Sequence, residues 1–161
     1  MAKRTIKTGI LSFGMSGTLF HAPFLNEHPG FQLTAVVERN NKLAQKIYPN
    51  LISYDTVDQL IADGDIELVV VNTPNFTHFE FALKALKAKK HVLVEKPFCV
   101  TSKEAKELFA EAKKVGRCIL PYQNRRYDSD FLSVKSVLDS GKLGSLVEVH
   151  MRYDRYRHHI G

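Results

Sequence analysis

The 161-residue sequence holds only two cysteines, Cys99 and Cys118, and neither stands at the spacing of a metal site or a C-x-x-C redox pair. They read as reduced structural thiols, and no metal centre is expected. No run of about 18 apolar residues occurs, so no membrane-crossing helix is predicted. Met1-Ala2-Lys3-Arg4 leads into a predicted strand without an apolar signal segment, which points to a cytoplasmic location. Internal repeats and low-complexity stretches are also lacking. A net charge of +6 raises nucleic acid as a partner, but no aromatic-basic stripe accompanies it. Lys84, Lys87, Lys103, Lys106, Lys113 and Lys114 recur at helical spacing among apolar residues, and Glu104, Glu107 and Glu111 interleave with several of them. These are solvated helix faces, and nucleic-acid binding is set aside.

What is present is a regular alternation. Hydrophobic residues make up 44% and charged residues 25%, the balance of a globular chain able to bury a core. Ile6 to Leu11 reads as a strand that enters the small-residue turn Ser12-Phe13-Gly14-Met15-Ser16-Gly17. In the dinucleotide fingerprint G-x-G-x-x-G, the second glycine lets backbone approach a pyrophosphate and the third lets helix pack on strand. Gly14 and Gly17 keep those two places, while Ser12 occupies the first. A helix over Thr18 to Glu27 is predicted, with Leu19, Phe20, Phe24 and Leu25 inward and a kink at Pro23. The second strand, Phe31 to Val37, stops at Glu38, which stands 21 residues after Gly17. That is where an acid would bind the adenine ribose hydroxyls of NAD and repel a 2′-phosphate, whereas the adjacent Arg39 could accept one. NAD is the expected cofactor, with NADP as the alternative.

The alternation continues. Asn40 or Asn41 is expected to cap a short helix carrying Leu43, Ala44 and Ile47 inward, and Leu51 to Tyr54 is a third strand. Capping boxes at Thr56/Gln59, Thr77/Glu80 and Thr101/Glu104 open three further helices. Strands are predicted at Glu67 to Asn72, His91 to Val94 and Arg117 to Leu120. Six strands alternating with helices make an α/β fold, a Rossmann-type doubly wound parallel sheet in the order 3-2-1-4-5-6. Beyond Pro121 the pattern changes to a polar loop, a helix with Phe131, Val134, Val137 and Leu138 on one side, and a period-two run from Ser145. In that run Val147, Val149, Met151 and Tyr153 alternate with polar residues, as in an antiparallel strand with one wet face. The expected organisation is a nucleotide domain over residues 1–122, followed over 123–161 by the opening helix and strand of a truncated α+β substrate and dimerisation domain. An unpaired strand there would favour self-association.

Ligands of open α/β sheets bind beyond the carboxyl ends of the strands. Four segments are predicted to meet there: Ser12 to Gly17, Glu38-Arg39, Thr73-Pro74-Asn75 and Glu95-Lys96-Pro97. Asn75 either bonds a ribose or caps its helix. Lys96, held between an acid and a proline, faces the ligand and is the candidate catalytic residue. Thr73-Pro74-Asn75 with His78, Glu95-Lys96-Pro97 and the glycine turn at these intervals resemble the glucose-fructose oxidoreductase/inositol dehydrogenase (Gfo/Idh/MocA) family. Asn124 to Phe131 is further similar to its scyllo-inositol dehydrogenase-like subgroup. The resemblance implies hydride transfer between NAD(P) and a sugar, polyol or related compound, with Lys96 beside the reacting hydroxyl. It also implies that an aspartate and a histidine come from the second domain; His150, His158 and His159 read as strand and tail residues. Asn124 and Arg125 are either cofactor or substrate contacts or part of a polar interdomain loop. A non-catalytic NAD(P)-binding module or fragment, and an NAD-dependent glycosidase of the same family, remain alternatives.

Overall fold

The computed structural model describes residues 4–154 and 156, so His158 and His159 lie outside the described residues. The chain divides into two compact units, Met1–Gln123 and Asn124–Gly161. In the first, β1 (Ile6–Ile10), β2 (Phe31–Val37), β3 (Ile52–Tyr54), β4 (Leu68–Val71), β5 (His91–Val94) and β6 (Ile119–Pro121) form one six-stranded sheet. All pairings are parallel and the order is β3-β2-β1-β4-β5-β6, as the alternation predicts.

The side-chain alternation of β4 shows why its run of valines needs two apolar layers. Val69 and Val71 pack with Leu60, Leu86 and Leu108 on one face. Val70 packs with Ile10 and Val36 on the other. Helices α3 (Val57–Ala62), α4 (His78–Lys87) and α5 (Ser102–Val115) serve the first layer, and α1 (Ala22–Glu27) and α2 (Ala44–Ile47) the second. Each fully buried aliphatic side chain contributes about 1.5–3 kcal/mol by leaving water. The boxes at Thr56/Gln59 and Thr101/Glu104 form as expected, and Gly116 ends α5 in the left-handed region at φ 65°.

Four local expectations are corrected. The chain after the glycine turn is not one regular helix: Gly17–His21 forms a π turn that runs into α1. Pro23 falls in the first turn of α1, where its missing N–H costs nothing. The wider turn rotates the inward face, so His21, Ala22 and Leu25 are buried while Leu19, Phe20 and Phe24 are exposed. At α2 neither Asn40 nor Asn41 caps. Its leading N–H groups are taken by the Glu38 carboxylate instead, and Leu43 and Ile47 are exposed.

The Thr77/Glu80 box does not form either. A 3₁₀ turn, Asn75–Thr77, precedes α4, so Thr77 is already helical and its hydroxyl turns back to the Pro74 carbonyl. Finally, residues 145–154 form no strand. Their period-two pattern suits a sheet surface, but a strand needs a partner edge, and among the described residues none pairs with them. The second unit therefore contains a 3₁₀ turn, Asn124–Tyr127, and α6 (Ser129–Asp139), whose apolar residues Phe131, Val134, Val137 and Leu138 are exposed.

Candidate functional site

The carboxyl ends of β1, β2 and β4 border a cleft of about 630 Å³. It brings together Ser12, Phe13, Gly14, Glu38, Arg39, Thr73 and Pro74 of the residues expected from the sequence. Met15, Ser16, Gly17, Asn75, His78, Glu95 and Lys96 do not line it.

The two glycines differ in what they permit. A Cβ built on Gly17 would lie 2.2 Å from the Ser12 carbonyl oxygen and 3.3 Å from Asn72 Nδ2. Packing alone therefore requires glycine there. A Cβ on Gly14 would meet only Ser12 Oγ, at 3.6 Å, so the protein's own packing leaves that position open on the cleft. Bare backbone facing an open cleft suits a group that must come close, and a pyrophosphate is such a group. The helical first turn that follows adds N–H groups lacking intrahelical partners. Ser12 is accommodated in place of glycine: its carbonyl accepts from Asn72 Nδ2 at 2.8 Å, and its hydroxyl lies 3.5 Å from the Gly14 N–H. The oxygen of that amide, Asn72 Oδ1, is buried without a hydrogen-bond partner among the described residues.

Glu38 ends β2 as expected, yet its side chain is only 7% exposed. Oε1 accepts from the Leu43 and Ala44 N–H groups at 2.7 and 3.1 Å, and Oε2 from Ser53 Oγ at 2.7 Å. Arg39 beside it is exposed.

At the end of β5 a second cluster forms around Glu95. Its Oε1 accepts from Ser16 Oγ at 3.1 Å and lies 3.0 Å from His21 Nε2; Oε2 accepts from the Lys96 N–H at 2.9 Å. The carboxylate thus links the helix after the glycine turn to the Lys96 main chain. The Lys96 side chain is exposed, and Lys96–Pro97 is a cis peptide. His21 is 2% exposed, and burial lowers its pKa more than its bond and attraction to Glu95 raise it. The Tyr122 ring sits 4.6 Å from that imidazole and its hydroxyl donates to the Phe20 carbonyl. Burial first, and the Glu95 charge second, push the phenol pKa up.

His78 is 1% exposed. Nδ1 lies 2.8 Å from the Pro97 carbonyl and Nε2 2.8 Å from the Thr73 carbonyl, so the ring braces the loops after β4 and β5 against each other. Asn75 is exposed and its side chain caps nothing. Asn124 and Arg125 belong to the second unit, where Arg125 pairs with Asp128 at 2.6 Å.

The family profile described as "Oxidoreductase family, NAD-binding Rossmann fold" (GFO_IDH_MocA) matches residues 6–123. The chain belongs to the Gfo/Idh/MocA oxidoreductase family. An uncharacterized oxidoreductase of Schizosaccharomyces pombe is 46% identical over 157 residues, covering 94% of this chain and 43% of the relative. The scyllo-inositol 2-dehydrogenase (NADP(+)) IolW of Bacillus subtilis is 34% identical over 153 residues, covering 95% of this chain and 43% of that protein. The crystal structure of a candidate oxidoreductase from Bacteroides fragilis superposes with a TM-score of 0.90 at 48% identity, over 98% of this chain and 46% of that one. The chain therefore spans less than half the length of these relatives. It is the nucleotide-binding part of the family's architecture, and its cofactor class is NAD(P).

Three residues of the site escaped the sequence reading. Asn72 had a signal, a lone amide closing a strand of valines. His21 had none, because regular helical periodicity turns it outward and only the π turn buries it. Tyr122 lay in a loop with no pattern to single it out.

Proposed function

We propose that the protein transfers a hydride between NAD(P) and a CH–OH group of a sugar or polyol, and that this chain supplies the half that holds the cofactor and one catalytic side chain. The observation that carries the reading is the pairing of an open glycine backbone at Gly14 with a lysine main chain fixed by Glu95 at the end of β5. Ser12 to Gly17 would hold the pyrophosphate, and Thr73 and Pro74 would line the opposite wall of the cleft. The nicotinamide, when bound, supplies a hydride acceptor or donor. Lys96 would donate a hydrogen bond to the substrate hydroxyl oxygen and stabilise it as its proton passes to a base of the second domain and the carbinol hydride to the nicotinamide. Glu95, held by Ser16 and His21, would fix the Lys96 backbone. Asn124 and Arg125 would open a second domain, over 123–161 and beyond, that binds substrate and joins subunits into a homo-oligomer. The expected location is the cytoplasm.

The test is reduction of NAD⁺ and NADP⁺ by the intact protein, followed by nicotinamide absorbance, against a panel of inositols, linear polyols and aldoses. Turnover with at least one polyol or sugar is expected. Tight cofactor binding with no reduction across the panel would instead favour a binding module without turnover.

A further inference from the structure

Resting on the hydride-transfer reading above, we propose that His21 is a positioning residue of the reaction, which acts on Lys96 through Glu95 and, together with Ser16, sets the glycine turn and the lysine as one unit. The sheet alone does not join these two places. β4 stands between β1 and β5, so the turn that leaves β1 and the segment that leaves β5 share no ladder. A single carboxylate spans the gap. Glu95 Oε1 takes the Ser16 hydroxyl at 3.1 Å and His21 Nε2 at 3.0 Å, while Oε2 takes the Lys96 N–H at 2.9 Å. The two oxygens of a carboxylate are rigidly joined, so the donors that fix the first also fix the one that holds the lysine main chain.

His21 is more than filling. Its imidazole turns inward because the chain after the glycine turn widens into the π turn Gly17–His21, a rare local form that recurs at functional sites. The His21 side chain is 2% exposed and that of Glu95 12%, and in such surroundings a hydrogen bond to a carboxylate is stronger than in water. Both partners are themselves anchored. The Tyr122 ring packs 4.6 Å from the imidazole while its hydroxyl donates to the Phe20 carbonyl, and the Glu95 N–H donates to the Val71 carbonyl of β4 at 2.9 Å. A reacting group misplaced by about 1 Å costs on the order of a hundredfold in rate, so this hold on Lys96 bears on kcat.

The experiment takes two readouts on the intact protein. Hydrogen exchange of the Lys96 amide, followed by mass spectrometry without cofactor, should quicken at least about threefold in His21→Leu and Ser16→Ala. It should stay within about twofold in His21→Gln, which keeps a donor for Glu95. Steady-state kinetics at saturating cofactor should show kcat lowered roughly ten- to a hundredfold in His21→Leu and largely restored in His21→Gln, with cofactor affinity of both within about threefold. In a Lys96→Ala background, His21→Leu should change the residual kcat by less than about twofold, because the residue through which it acts is gone. If His21→Leu does not fold, Ser16→Ala, which removes only a half-buried hydroxyl, carries both comparisons. Equal losses of kcat in the two backgrounds, a folded His21→Gln no better than His21→Leu, or an unchanged Lys96 amide would overturn the inference and leave hydride transfer standing. Absence of turnover with every inositol, polyol and aldose would overturn both readings.

Discussion

His21 Nε2 lies 3.0 Å from Glu95 Oε1, across the gap between the helix that follows the glycine turn and the end of β5. The acceptor is a carboxylate oxygen, so the ring nitrogen donates and a neutral imidazole suffices. Burial disfavours the charged ring, and the folded-state pKa falls below the ordinary 6.5 despite Glu95. The unfolded chain therefore takes up the proton first as pH drops. Stability from this group is complete above about pH 6.5 and is lost progressively below it, towards the lower folded value. The thermal midpoint should decline between about pH 7.5 and pH 5.5. His21→Gln keeps a donor for Glu95 without titrating, and a scan of both proteins should show a shallower decline in the variant. An unchanged slope would refute the assignment.

Gly17 and Gly14 should fail in different ways when changed to alanine. At Gly17 the new methyl group meets backbone, the Ser12 carbonyl 2.2 Å away, which cannot swing aside. A loss of about 3 kcal/mol or more in unfolding free energy is expected. At Gly14 the methyl group meets open cleft. Urea unfolding should be nearly unchanged there, while cofactor affinity falls at least about tenfold if the pyrophosphate lies against this backbone as proposed.

The sheet order was legible because parallel strands covered on both faces carry a long apolar signature, and runs such as Leu68 to Val71 admit no other place. The two capping boxes that formed were legible for a similar reason: Thr56 and Thr101 each begin a helix with no prior turn. Thr77 misled because the 3₁₀ turn at Asn75–Thr77 consumes its hydroxyl before α4 starts. Local rules also place Glu38 without saying which donors it will find. Its partners Leu43, Ala44 and Ser53 arrive through the packing of β3 and α2. His21 was invisible for a related reason, since a single π turn changes the burial of every residue that follows it.

His78 offers a test of the brace between the two strand-end loops. Its ring nitrogens each lie 2.8 Å from a carbonyl oxygen, of Thr73 and of Pro97, and the ring is buried. His78→Leu fills the space but removes the ring's N–H donor, leaving the carbonyl it served unpaired at roughly 1–3 kcal/mol. A loss of about 1–3 kcal/mol in urea unfolding is expected. A near-neutral result would mean that the loops hold each other without the imidazole.

Lys96 separates chemistry from binding. Its backbone N–H is held by Glu95 Oε2 at 2.9 Å, whereas its side chain is exposed beyond the end of β5. Removing the ammonium group should therefore leave the fold and the cofactor cleft intact. If the group bonds the substrate oxygen as its proton leaves, it acts mainly in the transition state, and kcat should fall by roughly 10²–10⁴ in Lys96→Ala with little change in the KM for cofactor. Lys96→Arg keeps the charge but spreads it over a planar fork that cannot place one donor on one oxygen in the same way. It should recover only a small part of the lost kcat. Steady-state kinetics of the three proteins, with cofactor affinity measured separately by fluorescence, decide the matter. A rise in cofactor KM with kcat preserved would make Lys96 a binding residue.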